Sequence, residues 1–294
     1  MSALPAFLTE EYPFAQNDIN LHSAARMNFV DEGEGPPVVM LHGNPTWSFF
    51  YRNLIKKLTP SRRCIVPDHI GCGLSEKPET YTYRLKQHID NVVELLDSLE
   101  LESFDLVLHD WGGAIGMGVA RRMPERVRCI VAMNTAAFRA QWIPLRINAC
   151  KIPWFGHWFI RKFNGFAGAA TKMAVKKPLS AEIAEGFVYP YGNWDDRIAT
   201  WAFVKDIPMT PFHTTWDDLV AVERDLGLFK DNPVLLLWGM KDFCFSPKFL
   251  KRWIEFFPRA KVQVYPDAGH YVLEDAGSDA LNQIAEFLDN HAWN

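Results

Sequence analysis

Four short stretches carry side chains whose types and setting could do chemistry. In Leu106-Val107-Leu108-His109-Asp110-Trp111-Gly112-Gly113, an apolar run ends in an acid and passes at once into small residues. That pattern reads as a buried strand, a sharp turn and a helix, with Asp110 at the turn. A carboxylate held there can attack an electrophilic carbon and leave an alkyl ester on the protein. The bland alternative is an Asp that caps the following helix. His270, in Asp267-Ala268-Gly269-His270-Tyr271, is a candidate base, or simply a polar loop residue. Asp242, in Trp238-Gly239-Met240-Lys241-Asp242, could fix the tautomer of His270 and stabilise its charged form, or be a surface-turn Asp. Asn44, in His42-Gly43-Asn44-Pro45-Thr46, completes the set.

The elements that must position these residues alternate. Residues 26–32 suit an early edge strand. Short apolar runs at 38–41, 64–67, 104–108, 127–133, 233–238 and 261–265 read as buried strands. Helical patterns fall at about 47–58, 84–99, 113–123, 247–256 and 278–291. Such alternation predicts an α/β fold with a mostly parallel central sheet flanked by helices. The pattern breaks at 138–213, which is rich in Trp, Phe and Pro and holds no convincing strand. We read it as an inserted helical cap between two parts of one core, 1–137 and 214–294. Asn44, Asp110, Asp242 and His270 all follow strand ends, where such sheets bind ligands.

A two-step reaction follows from the residue types. Asp110 displaces a leaving group from carbon. His270, neutral at the start, then takes a proton from water, and the water attacks the ester. The backbone N–H groups of Asn44 and Trp111 are the natural donors to the developing oxyanion. Their side chains supply N–H donors that pass protons poorly. They suit a leaving anion that needs solvation but no protonation, such as a halide. An epoxide would ask for acidic donors, for which Tyr189 and Tyr191 are the candidates. No cofactor and no metal are called for. His109 is expected to hydrogen-bond within the turn, His157 and His213 to pack in the cap, and Ser75 to cap a loop.

Bulk properties narrow the partners. The 294 residues are 48% hydrophobic and 22% charged, with 11 Trp and 21 Phe, enough to fill a core and line an apolar pocket. The net charge of −4, without a basic block, argues against nucleic acid and anionic membrane. Five cysteines without a C-x-x-C pair argue against disulfides and zinc, and for a reducing compartment. Neither a signal peptide nor a transmembrane segment is apparent, so a cytoplasmic setting is expected.

These motifs resemble those of the haloalkane dehalogenases, α/β-hydrolases in which the order of the triad is nucleophile, acid, base. The match includes Asp68-His69-Ile70-Gly71-Cys72-Gly73-Leu74-Ser75 and covers nearly the whole chain. It departs from the usual nucleophile turn of α/β-hydrolases, which has Ser between glycines: here the nucleophile is Asp110, and Leu108 stands two residues before it. The Asn44/Trp111 pair, with an acid after the 233–238 strand, resembles the family's third subfamily. Position 134, the competing acid position, holds a neutral Asn. The resemblance implies Asp110 as nucleophile, His270 as base, Asp242 as acid, and Asn44 with Trp111 as halide-stabilising pair. Residues 158–166, 206–211 and 242–245 are also similar to the β-lactone decarboxylases of bacterial olefin biosynthesis. In those, the same triad turns a cis-β-lactone into an alkene and carbon dioxide. A haloalkane is the expected substrate and a β-lactone the alternative. Accordingly a halide ion or a carboxylate is expected in the pocket, with assembly with pathway enzymes if the alternative holds.

Overall fold

In the computed structural model, which describes residues 4–140 and 142–291, eight strands form one sheet. They are β1 (Asn17–Asn20), β2 (Arg26–Glu32), β3 (Pro37–Leu41), β4 (Arg63–Pro67), β5 (Phe104–Asp110), β6 (Val127–Thr135), β7 (Val234–Gly239) and β8 (Lys261–Tyr265). Their order across the sheet is β1-β2-β4-β3-β5-β6-β7-β8. β1 and β2 run antiparallel to their neighbours, and β3 to β8 are mutually parallel.

The helices are α1 (Ala6–Glu11), α2 (Arg52–Leu58), α3 (Leu85–Ser98), α4 (Trp111–Ala120), α5 (Leu145–Cys150), α6 (Pro153–Gly156), α7 (Ala167–Met173), α8 (Ala181–Val188), α9 (Ile198–Asp206), α10 (Trp216–Asp225), α11 (Pro247–Phe256), α12 (Val272–Ala276) and α13 (Ser278–Asn290). A π-helical stretch, His157–Lys162, continues α6.

The central strands are apolar on both faces because both faces are covered. Along β5, Phe104, Leu106 and Leu108 join the layer formed with α3, α4, α10 and α11, while Val107 points to the layer formed with α2 and α13. Every residue of β5 and β7 is buried. Between β6 and β7 the chain holds helices α5 to α10 and, among the described residues, no strand.

Three local expectations need correction. β2 is not the edge strand; β1 lies outside it, and its sequence, Asn-Asp-Ile-Asn, offers no apolar run to announce it. The helix expected from about 47 begins as a 3₁₀ turn, Ser48–Tyr51, before α2. The helix after Asp110 starts directly at Trp111 and ends at Ala120, ahead of a 3₁₀ turn opened by Pro124.

Candidate active site

Asp110 closes β5 and precedes the first residue of α4, with φ 52° and ψ −124°. A non-glycine residue in that region costs about 1–3 kcal/mol, a strain that persists only where the surroundings impose it. Here they do. Thr135 Oγ1 donates to the Asp110 carbonyl, and α4 is pressed against the end of β3. A Cβ on Gly112 would stand 1.9 Å from the Leu41 carbonyl oxygen, and one on Gly43 would stand 2.1 Å from Asp110 Oδ1. Both glycines are therefore required by close approach.

The carboxylate of Asp110 is held from two sides. The Asn44 backbone N–H donates to Oδ1 at 2.7 Å, and His270 Nε2 lies 3.5 Å from Oδ2. Of the two expected oxyanion donors, the Asn44 N–H thus contacts one oxygen of the Asp110 carboxylate. Among the described residues, the Trp111 N–H makes no bond to the resting carboxylate. His270 Nδ1 lies 2.8 Å from Asp242 Oδ2. Asp242 Oδ1 accepts from the Cys244 backbone N–H at 2.6 Å. Asp110, Asp242 and His270 are all nearly withdrawn from solvent.

Electrostatics sets the resting protonation. Burial alone would push the His270 pKa down, but the charge of Asp242 and the hydrogen bonds to Asp110 and Asp242 outweigh it and raise it to about 10. Burial would push Asp110 up, yet the hydrogen bond and charge of His270 hold it below the usual carboxylate range. His270 thus lies between two carboxylates that favour its charged form. Esterification of Asp110 removes one of those counter-charges.

Residue 134 plays a part that its type did not suggest. Asn134 Nδ2 donates to Asp242 Oδ2 at 2.9 Å and to the Gly239 carbonyl at 3.0 Å, while Gly239 N–H donates to Asn134 Oδ1 at 2.8 Å. It ties the end of β6 to the end of β7 and orients the acid. A polar residue near the buried end of a mostly apolar strand was the available signal. Phe245, also missed, stacks on the His270 ring at 5.6 Å.

The remaining polar residues fall into place around this centre. His109 Nε2–H donates to the His270 carbonyl at 3.0 Å, and burial drives its pKa down to about 3, so the ring is neutral. Ser75 Oγ donates to the Asp68 carbonyl at 2.6 Å and accepts from the Asn28 N–H at 2.8 Å, a loop-bracing role. His157 packs between Trp194 and Trp201, and His213 Nε2 meets the Lys205 carbonyl at 3.1 Å.

Above Asp110 opens a cavity of about 420 Å³, walled almost wholly by apolar side chains. Asn44, Trp111 and His270 stand at its floor, and Ile147, Phe155, Phe159 and Phe166 come from the helices between β6 and β7. The Asn44 side chain reaches up to those helices: its Nδ2 donates to the Thr200 carbonyl of α9 at 3.1 Å. One of its two amide hydrogens is thereby engaged. Neither Tyr189 nor Tyr191 lines the cavity, and the Tyr191 hydroxyl donates to the Thr46 carbonyl at 3.2 Å. The tyrosine pair that epoxide opening would need is therefore not presented to the cavity. Tyr271 is the one tyrosine in its lining among the described residues.

A strained carboxylate at a strand–helix turn, an adjacent His–Asp pair and a cavity roofed by inserted helices define a class. The family model for the alpha/beta hydrolase fold matches residues 36–277, and the chain belongs to that family, on the branch that holds haloalkane dehalogenases and β-lactone decarboxylases. The chain is 43% identical over 283 residues to the cis-3-alkyl-4-alkyloxetan-2-one decarboxylase of Shewanella oneidensis, covering 94% of this chain and 89% of that protein. It is 38% identical to the protein of the same name from Xanthomonas campestris, covering 95% and 98%. Haloalkane dehalogenase 2 of Mycobacterium tuberculosis is 33% identical, covering 94% and 95%. Among solved structures, haloalkane dehalogenase DatA from Agrobacterium tumefaciens superposes with a TM-score of 0.86 at 26% identity, covering 95% and 97%. Among the described residues no helix is long and apolar enough to cross a membrane.

Proposed function

We propose that the protein decarboxylates cis-3,4-dialkyl β-lactones to alkenes, rather than hydrolysing haloalkanes. The observation that carries the choice is the nearly full-length similarity to two decarboxylases at 43% and 38%, against 33% for the dehalogenase. In this reading the catalytic residues are Asp110, His270 and Asp242, with Asn44 and Trp111 as donors to the leaving oxygen. The cap that roofs them spans 138–213.

The reaction can close without water. A carboxylate oxygen of Asp110 attacks ring carbon C4 from behind. The C4–O bond breaks, and its electron pair stays on the ring oxygen, now part of a carboxylate on C3. The Trp111 indole N–H and the remaining Asn44 amide hydrogen solvate that carboxylate, as they would a halide. The C3–carboxylate bond then breaks and its electrons form the C3–C4 double bond. The bond from C4 to Asp110 breaks with its electrons returning to Asp110, and carbon dioxide leaves. No proton is gained or lost. Charged His270 favours departure of Asp110 as a carboxylate, and Asp242 keeps it charged. Inversion at C4 followed by anti elimination turns a cis-lactone into a cis-alkene.

A side-by-side assay of a cis-dialkyl β-lactone and 1-bromohexane tests this. Cis-alkene and carbon dioxide from the lactone at ordinary enzyme rates, ~1–10³ s⁻¹, with only trace bromide, is the expected result. Fast bromide release with an inert lactone would establish the dehalogenase reading instead.

A further inference from the structure

Charge is distributed along this chain very unevenly. From Arg126 to Ala181 there are ten Lys and Arg and no Asp or Glu, so all 35 acidic residues lie elsewhere. The net charge of −4 averages a basic segment with an acidic remainder and hides both. Within the segment, Arg146, Lys162, Lys172, Lys176 and Lys177 are exposed and form no ion pair among the described residues.

The same segment leaves large apolar side chains in solvent. Leu145 is 85% exposed, Trp154 72%, Trp158 56% and Phe163 72%. Scattered apolar residues on a surface are ordinary, but a group this dense within 19 residues of chain marks an interaction surface. The same stretch of chain, through other side chains, also supplies one wall of the cavity. Along α6 and the π-helical stretch, Phe155 and Phe159 face the cavity while their neighbours Trp154 and Trp158 face out. One helix, roughly 10 Å across, separates the pocket from the exposed indoles.

We propose that the outer face of residues 145–163 docks on an anionic lipid bilayer. Leu145, Trp154, Trp158 and Phe163 insert at the headgroup level, and the flanking Lys and Arg meet the lipid phosphates. Indoles between apolar and basic side chains are the composition that lies in a membrane interface, and free cations without acidic neighbours in sequence complement an anionic leaflet. A cavity with apolar walls one helix away would then draw substrate from, and return product to, the phase that dissolves them. This reverses the exclusion of anionic membranes drawn from net charge. It does not depend on which reaction the site performs, because binding is read without turnover.

The experiment is flotation of the full chain with vesicles of phosphatidylcholine, alone or mixed with phosphatidylglycerol. The wild type floats with the mixed vesicles, and added salt weakens the binding. Trp154→Ser/Trp158→Ser/Phe163→Ser lowers binding at least ~10-fold through lost apolar burial. Lys162→Glu/Lys172→Glu abolishes the preference for phosphatidylglycerol. None of the five residues lines the cavity, so each variant keeps wild-type circular dichroism and turnover of a short, dispersed substrate. Absence of vesicle binding, or equal binding to both kinds of vesicle, would overturn the proposal. So would a wild-type dimer, silent to vesicles, that the triple variant converts to monomer; the face would then join two copies.

Discussion

Asp110 and the Gly239 turn that leads to Asp242 end strands in which every residue is buried. The helices that face them across the cavity leave Trp154 and Phe163 in solvent. At the strand ends, polar atoms are matched to named partners: Asp110 by Asn44 and His270, Asp242 by His270, Asn134 and Cys244. In the helices above, the cavity wall is made of interchangeable apolar surface, with Phe155 and Phe159 stacked at 5.4 Å. The contrast separates two tasks. At the strand ends, buried carboxylates are held by named partners in a low-dielectric setting. The helices supply the apolar wall that faces those carboxylates.

The comparison predicts a gradient of effects. Asp110→Asn removes the nucleophile and lowers kcat by at least ~10³-fold on any substrate, with binding retained, as a titration of substrate analogue will show. Residual turnover close to wild type would place the nucleophile elsewhere.

Asp242→Asn comes next, with a loss of ~10²–10⁴-fold in kcat and an unchanged fold by circular dichroism. It also shifts the pH profile. Because the His270 pKa is raised from 6.5 to about 10, its charged form stabilises the fold fully below about pH 6.5, and that contribution is lost as pH rises through about 10. Without Asp242 the alkaline limb of kcat/KM moves to lower pH. An unmoved limb would mean that Asp242 does not support the charge on His270.

The smallest effect belongs to the cap. Phe159→Ala leaves kcat within about 3-fold but raises KM for long-chain substrates by roughly 10- to 100-fold, in line with about 1.5–3 kcal/mol of lost burial. Short substrates, which do not reach Phe159, show little change. Equal losses for short and long chains would dissolve the division between core and cap.

The two regions were also unequally readable in the sequence. Apolar runs and glycine turns repeat the period of a parallel sheet, so β3 to β8 and the placement of Asp110, Asp242 and His270 at strand ends could be read from residue order. β1 could not, because half-exposed Asn-Asp-Ile-Asn pairs through its backbone. Asn134 was weighed only as an absent acid. Its bonds to Asp242 and Gly239 come from sheet register, which sets Ala132 opposite Leu236 and Met133 opposite Leu237 at adjacent strand ends. The two carboxylates that raise the His270 pKa, Asp110 and Asp242, are distant from it in sequence and meet it only on folding. In the cap, the absence of strands was readable, while the basic, indole-bearing outer face was concealed by averaging charge over the whole chain.

In the proposed reaction an ester on Asp110 collapses by elimination, driven by a charged neighbour, and not by attack of water. It is tested most directly by turning over a cis-dialkyl β-lactone many times in heavy-oxygen water and then weighing the peptide that carries Asp110. Water attack on the ester carbonyl would place solvent oxygen in the Asp110 side chain, whereas elimination returns the original oxygens. Abundant alkene with an Asp110 peptide of unchanged mass is the expected outcome. Release of the 3-hydroxy acid in place of alkene, with heavy oxygen in that peptide, would contradict it.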